Sequence, residues 1–215
     1  MEELLEEWSW DEGKPLGTPV KRSYAHKNGI PHEGVHLWVL NMADGIPLVL
    51  FQHRAHWKDM YPDCLDITVG GHVPFGLGEA KIQKEAYEEI GITPSDDDLV
   101  DLGYFRYEER DENIFHREFQ HVYLYEDSRA LDRYVFHDKE VEGIFAVQLD
   151  MLKKLLDQDF KFSIKGFNGR EILHRNVQRQ DFHPLLFSPT MEQYMNILIQ
   201  AMDQYARGKV VTVFF

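Results

Sequence analysis

Gly70-Gly-His-Val-Pro-Phe-Gly-Leu-Gly-Glu-Ala-Lys-Ile-Gln-Lys-Glu-Ala-Tyr-Glu-Glu-Ile-Gly-Ile92 reads as a glycine-rich loop running into a short helix. Gly70, Gly71, Gly76 and Gly78 permit backbone angles and close approaches that other residues resist. The pattern predicts a helix from about Gly78 to Ile90, with Gly91 as its C-terminal stop. Glu85, Glu88 and Glu89 stand at i, i+3 and i+4, so at roughly 100° per residue they share one face. Like charges at that spacing repel by roughly a few tenths of a kcal/mol per pair. A cation would offset this, and carboxylate oxygens suit a hard divalent ion, so Mg²⁺ or Mn²⁺ is the expected cofactor. Taken alone, the three glutamates fit a solvated acidic face equally well.

Around this stretch lie 215 residues, the size of one domain or one domain with an extension. Hydrophobic content of 43% and charged content of 28% match an ordinary globular chain. No apolar run reaches the length of a membrane span. The acidic start, Met1-Glu-Glu-Leu-Leu-Glu-Glu7, does not read as a signal or transit peptide. A single cysteine, Cys64, excludes an internal disulfide and fits a reducing cytoplasm. The net charge of −14 argues against nucleic-acid polymers and anionic membranes as partners. A small phosphorylated substrate remains compatible, held by a metal and local cations.

Asp11 to Gly17 is turn-rich and could link two short strands. Val35 to Leu40 alternates as a strand, Asn41 to Gly45 is a turn, and Ile46 to Gln52 is the hairpin partner. Leu65 to Val69 is a strand that delivers the chain into the glycine loop. Leu102 to Tyr107, Phe115 to Tyr125 and Val141 to Val147 read as further strands. On the second of these, His116 and Glu118 share one face and Arg117 and Phe119 the other. Leu149 to Leu156 is a short helix. Residues 160–187 are aromatic and basic with no clear period. Ser188-Pro-Thr-Met opens a last long helix that ends before Gly208, and Val210 to Phe215 is an apolar, strand-like tail. Exposed, such a tail would be an edge that invites pairing, so it is expected on the sheet or on a second subunit, as in a homodimer.

The order of elements predicts an α+β fold, a mixed β-sheet sandwiched between α-helices. Residues 1–34 form an N-terminal strand-and-turn extension, 35–160 the core, and 161–215 a C-terminal helical extension packed on the same domain.

The opening stretch resembles the Nudix box, Gly-x5-Glu-x7-Arg-Glu-U-x-Glu-Glu-x-Gly-U, where U is bulky and apolar. Gly70, Glu85, Glu88, Glu89, Gly91 and Ile92 fall in register. Gly76 stands where the first glutamate belongs, Lys84 replaces the arginine, and Ala86 is small for the first U. A one-residue loop deletion offers another register. In it Gly71 begins the motif, Leu77 takes the glutamate position, and Glu79 is a displaced acid nearby. The resemblance implies the same sheet between helices. It also implies metal-dependent cleavage of a diphosphate, with Glu85, Glu88 and Glu89 on the ion. Lys84 would support a helix glutamate, more loosely than a bidentate arginine.

His36-Leu-Trp-Val39, Gln52-His-Arg-Ala-His-Trp-Lys-Asp-Met-Tyr-Pro62 and Val69-Gly-Gly-His-Val73 are similar to isopentenyl-diphosphate isomerase and its hydrolase-like Nudix relatives. That resemblance implies that Arg54 and Lys58 hold the substrate's diphosphate. It implies His36 and His72 as metal ligands and Glu118 as a catalytic glutamate. His26 and His32 are spaced differently from the isomerase pattern and receive no ligand role. The isomerase's proton-moving cysteine is replaced by Gly70, and Cys64, six residues upstream, is not its equivalent. Isomerase activity is therefore not expected. The expected function is metal-dependent hydrolysis of a nucleoside diphosphate derivative or another organic diphosphate, with Glu88, Glu89 and Glu118 catalytic. The alternative is a binding or regulatory module with a weakened box, favoured by Gly76 and Lys84.

Overall fold

The computed structural model describes residues 2–43, 45–58, 60–77, 80–110 and 115–215. The chain begins with an antiparallel hairpin, β1 (Leu4–Ser9) and β2 (Lys14–Lys21), joined through the turn-rich segment. A short helix α1 (Arg22–Asn28) follows, then β3 (His32–Asn41), β4 (Leu48–Arg54), β5 (Leu65–Asp66) and β6 (Val69–His72). Helix α2 (Lys81–Ile90) leads to β7 (Leu99–Arg110), β8 (Phe115–Glu126), β9 (Val141–Gln148) and α3 (Leu149–Asp157). The chain finishes with β10 (Phe162–Phe167), β11 (Ile172–Val177) and α4 (Glu192–Ala206). The helix expected from Gly78 starts at Lys81, and Gly78 and Glu79 lie outside the described residues.

Among the described residues, nine strands form one mixed sheet in the order β11-β10-β9-β4-β3-β8-β7, with β5 on β4 and β6 on β3. Strand β3 runs parallel to β8 and antiparallel to β4 and β6. Both faces are covered, so the central strands are apolar at successive positions rather than at alternate ones. Val35, Leu37 and Val39 of β3 meet Ile82, Ala86 and Ile90 of α2 on one face. Trp38 and Leu40 meet Leu152 and Leu155 of α3 and Tyr194, Met195 and Leu198 of α4 on the other. Ile82, Ala86 and Ile90 recur every four residues, which is the buried stripe of α2. Burying each isoleucine contributes about 2 kcal/mol. The stop falls where expected: Gly91 is left-handed at φ 70°, and the Ile92 amide donates to Ala86 O at 3.2 Å.

Three expectations need correction. Residues 65–69 do not form one strand. Strands β3 and β4 pair only at Leu40–Val49 and Asn41–Leu48, then splay, and β5 and β6 fill the gap from opposite sides. Thr68 bridges the splay: its Oγ1 accepts from Val39 N at 3.0 Å and donates to Leu50 O. The C-terminal extension is not all helical, because β10 and β11 continue the main sheet from β9. Finally, residues 210–215 form no strand; the Phe215 amide donates to Leu102 O of the edge strand β7 at 2.8 Å.

Candidate functional site

The splay of β3 and β4 has a chemical consequence. It lets β6 lie beside β3 so that His72 pairs with Gly34, while on the other side of β3 the parallel strand β8 sets Glu118 opposite His32 and Gln120 opposite Gly34. Gly34 has to be small: a Cβ there would stand 2.6 Å from Gln120 Oε1. The Gln120 amide crosses this bare backbone and donates to Glu118 Oε2. Helix α1 ends at Gly29 (φ 63°), packs on β8 and brings in His26.

The result is a cluster of His26, His32, His72 and Glu118, with one ligand atom from each within 4.8 Å of every other. His32 Nε2 and His72 Nε2 each lie 3.6 Å from Glu118 Oε1, and His116 Nδ1 lies 3.3 Å from it. His26 Nδ1 and His116 Nδ1 are hydrogen-bonded at 3.0 Å. Donors roughly 2.0–2.2 Å from a shared ion stand about 3–4 Å apart, so the carboxylate–imidazole spacings suit a metal. His32 Nδ1 donates to Ile30 O at 2.9 Å, so in the neutral ring Nε2 carries a lone pair. That lone pair faces a carboxylate oxygen, two acceptors with no hydrogen between them. His26 Nε2 and His32 Nε2 are both buried without a hydrogen-bond partner. A cation among these four groups would satisfy both.

Burial, then the neighbouring His72, pushes His26 down to about 3, and burial also lowers His72. These two rings are therefore neutral at pH 7, the state that binds metal. Burial alone would raise Glu118, but the imidazoles of His116, His32 and His72 crowded against it outweigh burial and hold the carboxyl well below its usual range. His116 sharing a face with Glu118 follows from strand alternation. His26 and His32, given no ligand role from sequence spacing, are the residues that reasoning missed.

His36 is corrected in the opposite direction. It lies four residues beyond His32 on the same face of β3, outside the cluster, and its Nδ1 is 2.9 Å from Tyr194 Oη.

Glu85, Glu88 and Glu89 do share one side of α2, but they are not among the groups that converge to metal-ligand spacing in the described residues. Lys84 stands between two of them, its Nζ 3.0 Å from Glu85 and 2.7 Å from Glu88. Burial would lower the Lys84 pKa, and pairing with Glu88 and Glu85 raises it overall. Glu89 is 4% exposed and accepts from Gln52 Nε2 at 3.0 Å and from Gly70 N at 3.2 Å. Burial and then the nearby Asp138 raise its pKa well above the carboxylate range. Gly71 leaves room for Glu85, whose Oε2 would be 2.6 Å from a Cβ at that position.

Arg54 and Lys58 are both engaged within the protein. Arg54 donates to Asp66 Oδ2 at 3.1 Å and to the carbonyls of Tyr61 and Met60, each at 3.0 Å, and Lys58 pairs with Glu140. Cys64 is buried, donates to Tyr61 O at 3.2 Å, and burial pushes its thiol up to about 12. At Gly70 a Cβ would meet Ile67 Cδ1 at 2.5 Å. The described residues therefore offer no reactive thiol.

A mixed sheet between helices, entered through a glycine loop that feeds a glutamate-bearing helix, is the Nudix fold, and the chain is similar in sequence to proteins named Nudix hydrolases. It is 27% identical over 203 residues to an uncharacterized Nudix hydrolase of Clostridium acetobutylicum, covering 91% of this chain and 96% of that protein. It is 23% identical over 218 residues to Nudix hydrolase 3 of Arabidopsis thaliana, covering 93% of this chain but only 28% of that longer protein. Among solved structures, one from Deinococcus radiodurans is similar with a TM-score of 0.54 at 19% identity, covering 72% of this chain and 89% of that one. No family model matches the chain. Among the described residues no helix is long and apolar enough to cross a membrane.

Proposed function

We propose that the protein is a metal-dependent hydrolase of an organic diphosphate, nucleoside-linked or otherwise, with its metal held by His26, His32, His72 and Glu118. The observation that carries this is the convergence of those four groups with two buried ring nitrogens left without partners. A donor set rich in imidazole suits Mn²⁺ or Zn²⁺ better than Mg²⁺. A divalent ion there would lower the pKa of a bound water and draw charge from phosphate oxygens.

In this reading Glu118 is a ligand rather than a base, since its carboxyl is already held ionised among imidazoles. Gln120 keeps its second oxygen aligned. Glu89 is the proton acceptor: its raised pKa brings it nearer to the working pH, and the Gly70 amide and Gln52 fix its direction. Glu85 and Glu88 would hold a further ion only after Lys84 moves aside. Arg54 and Lys58 would meet a diphosphate by exchanging Asp66 and Glu140 for it.

A binding module without turnover is the second reading, favoured by Lys84 filling the glutamate face and by both expected phosphate cations being paired internally. Purified protein stripped with chelator and reloaded with Mn²⁺, Zn²⁺ or Mg²⁺ separates the two. It would be offered nucleotide sugars, dinucleotide polyphosphates, nucleoside triphosphates and prenyl diphosphates. Metal-restored splitting of the diphosphate into two phosphorylated products that is lost in Glu118→Gln supports the hydrolase. Tight binding with every ligand recovered intact supports the module.

A further inference from the structure

The turn between Arg54 and Asp66 is held in an unfavourable shape by the side chain it covers. Tyr61 and Asp63 are both left-handed, at φ 50° and 59°, without being glycine. Tyr61 also precedes Pro62, a place that favours extended backbone. L-residues resist this conformation and keep it only where their surroundings impose it.

Arg54 imposes it. Its Nε donates to Tyr61 O and its Nη2 to Met60 O, both at 3.0 Å, and its own amide donates to Cys64 O at 3.0 Å. Nη1 is turned to Asp66 Oδ2 at 3.1 Å. Apolar burial adds little, because Met60 and Tyr61 are 41% and 37% exposed. The Tyr61 ring leans on His183 with centroids 4.2 Å apart, and Asp63 O lies 3.2 Å from His53 Nε2.

The same bonds close off the guanidinium. The Arg54 side chain is 17% exposed, and three of its five N–H groups are already taken. A phosphate seeking the two-pronged contact that arginine offers must compete with the Met60 and Tyr61 carbonyls. A charge-assisted hydrogen bond is roughly twice as strong as one between neutral groups, so the exchange favours the anion. Once the two carbonyls are released, the left-handed residues can relax and the turn can swing away.

Resting on the diphosphate reading, we propose that residues 60–64 form an anion-gated lid: Arg54 latches it shut, and a diphosphate that takes the guanidinium releases it. Cys64 is a built-in reporter of this motion. It is the single cysteine of the chain, is 8% exposed, and donates from Sγ to Tyr61 O at 3.2 Å, so the closed turn covers it.

The rate at which uncharged N-ethylmaleimide labels Cys64 in the full chain tests the proposal without turnover. Inorganic diphosphate, at a concentration shown by calorimetry to saturate the protein, should speed labelling about 10-fold, as expected for giving up two hydrogen bonds. Ligand stabilisation alone acts in the opposite sense, since a ligand of the folded state suppresses unfolding and would slow labelling. Arg54→Lys keeps the charge but not the fork that holds both carbonyls, so it should label about 10-fold faster with no diphosphate present. Labelling not accelerated by saturating diphosphate would overturn the lid and leave the phosphate clamp standing. Arg54→Lys labelling as slowly as wild type would overturn the latch, and no binding of inorganic diphosphate would overturn lid and clamp together. Accelerated labelling in a protein that hydrolyses nothing would support the lid and refute the hydrolase reading alone.

Discussion

Glu118 and His32 sit directly opposite each other across the parallel pairing of β3 with β8, with Glu118 Oε1 3.6 Å from His32 Nε2. In a neutral ring both atoms are acceptors, and His72 Nε2 and His116 Nδ1 crowd the same oxygen. A buried cluster built this way is costly without a cation and stable with one.

Metal should therefore stabilise the fold through these residues. Zn²⁺ or Mn²⁺ at about 100 times its Kd should add about 2.7 kcal/mol to unfolding stability, seen as a metal-dependent rise in melting temperature. His72→Ala and Glu118→Gln should remove most of that rise, and Glu88→Gln, whose carboxylate is half-exposed on Lys84, should leave it intact. Equal loss in all three would move the ion to the helix.

Glu89 gives a stability test with a definite sign. Its folded pKa is raised, so its stabilising share is full below its unfolded pKa and is lost as pH climbs through the folded value. Glu89→Gln keeps the shape without the buried charge. Its melting temperature relative to wild type should rise between pH 5 and 8 in chelator. Turnover, if Glu89 is the base, should fall about 10²- to 10⁴-fold. A mutant less stable than wild type at pH 8 would contradict the burial argument.

His36 shifts the other way. Burial takes it down to about 4, against about 6.5 for an unfolded chain. Unfolding therefore takes up a proton once the pH falls below about 6.5, and at pH 5 the native state loses about 2 kcal/mol from this residue. Replacing it with glutamine should flatten the fall in denaturant midpoint between pH 7 and 5. An unchanged slope would mean that the ring titrates alike in the native and unfolded chains.

Gly91 should be irreplaceable. At φ 70° with Val135 O only 2.7 Å from a would-be Cβ, Gly91→Ala combines backbone strain with a clash against main chain. Chemical denaturation should show a loss of about 2 kcal/mol or more. A neutral effect would mean that α2 can end differently.

The helix, its stop and the core strands were legible because each follows a local period: Ile82, Ala86 and Ile90 on α2, and Gly91 after it. The proposed ligand set was not. His32 and His36 share a face of β3 and lie about 13 Å apart along it, so alternation cannot choose between them. Only the register to β6 and β8 does, and that comes from the splay at Thr68. His26 arrives from α1, which no period links to β8. Strands β10 and β11 were hidden for another reason. Arg175 is half-buried through its pairing with Asp181 while Ile172 is exposed, so the apolar alternation that marks a strand is missing. Gly34 and Gln120, which hold Glu118 in place, carry no motif at all.

The most direct measurement is X-ray absorption at the metal edge of protein loaded with one equivalent of Mn²⁺ or Zn²⁺. The account predicts a first shell of about three imidazole nitrogens with carboxylate oxygen, and loss of imidazole scattering in His72→Ala. An all-oxygen shell, unchanged in that variant and altered in Glu85→Gln, would put the ion on the glutamate helix and contradict the histidine centre.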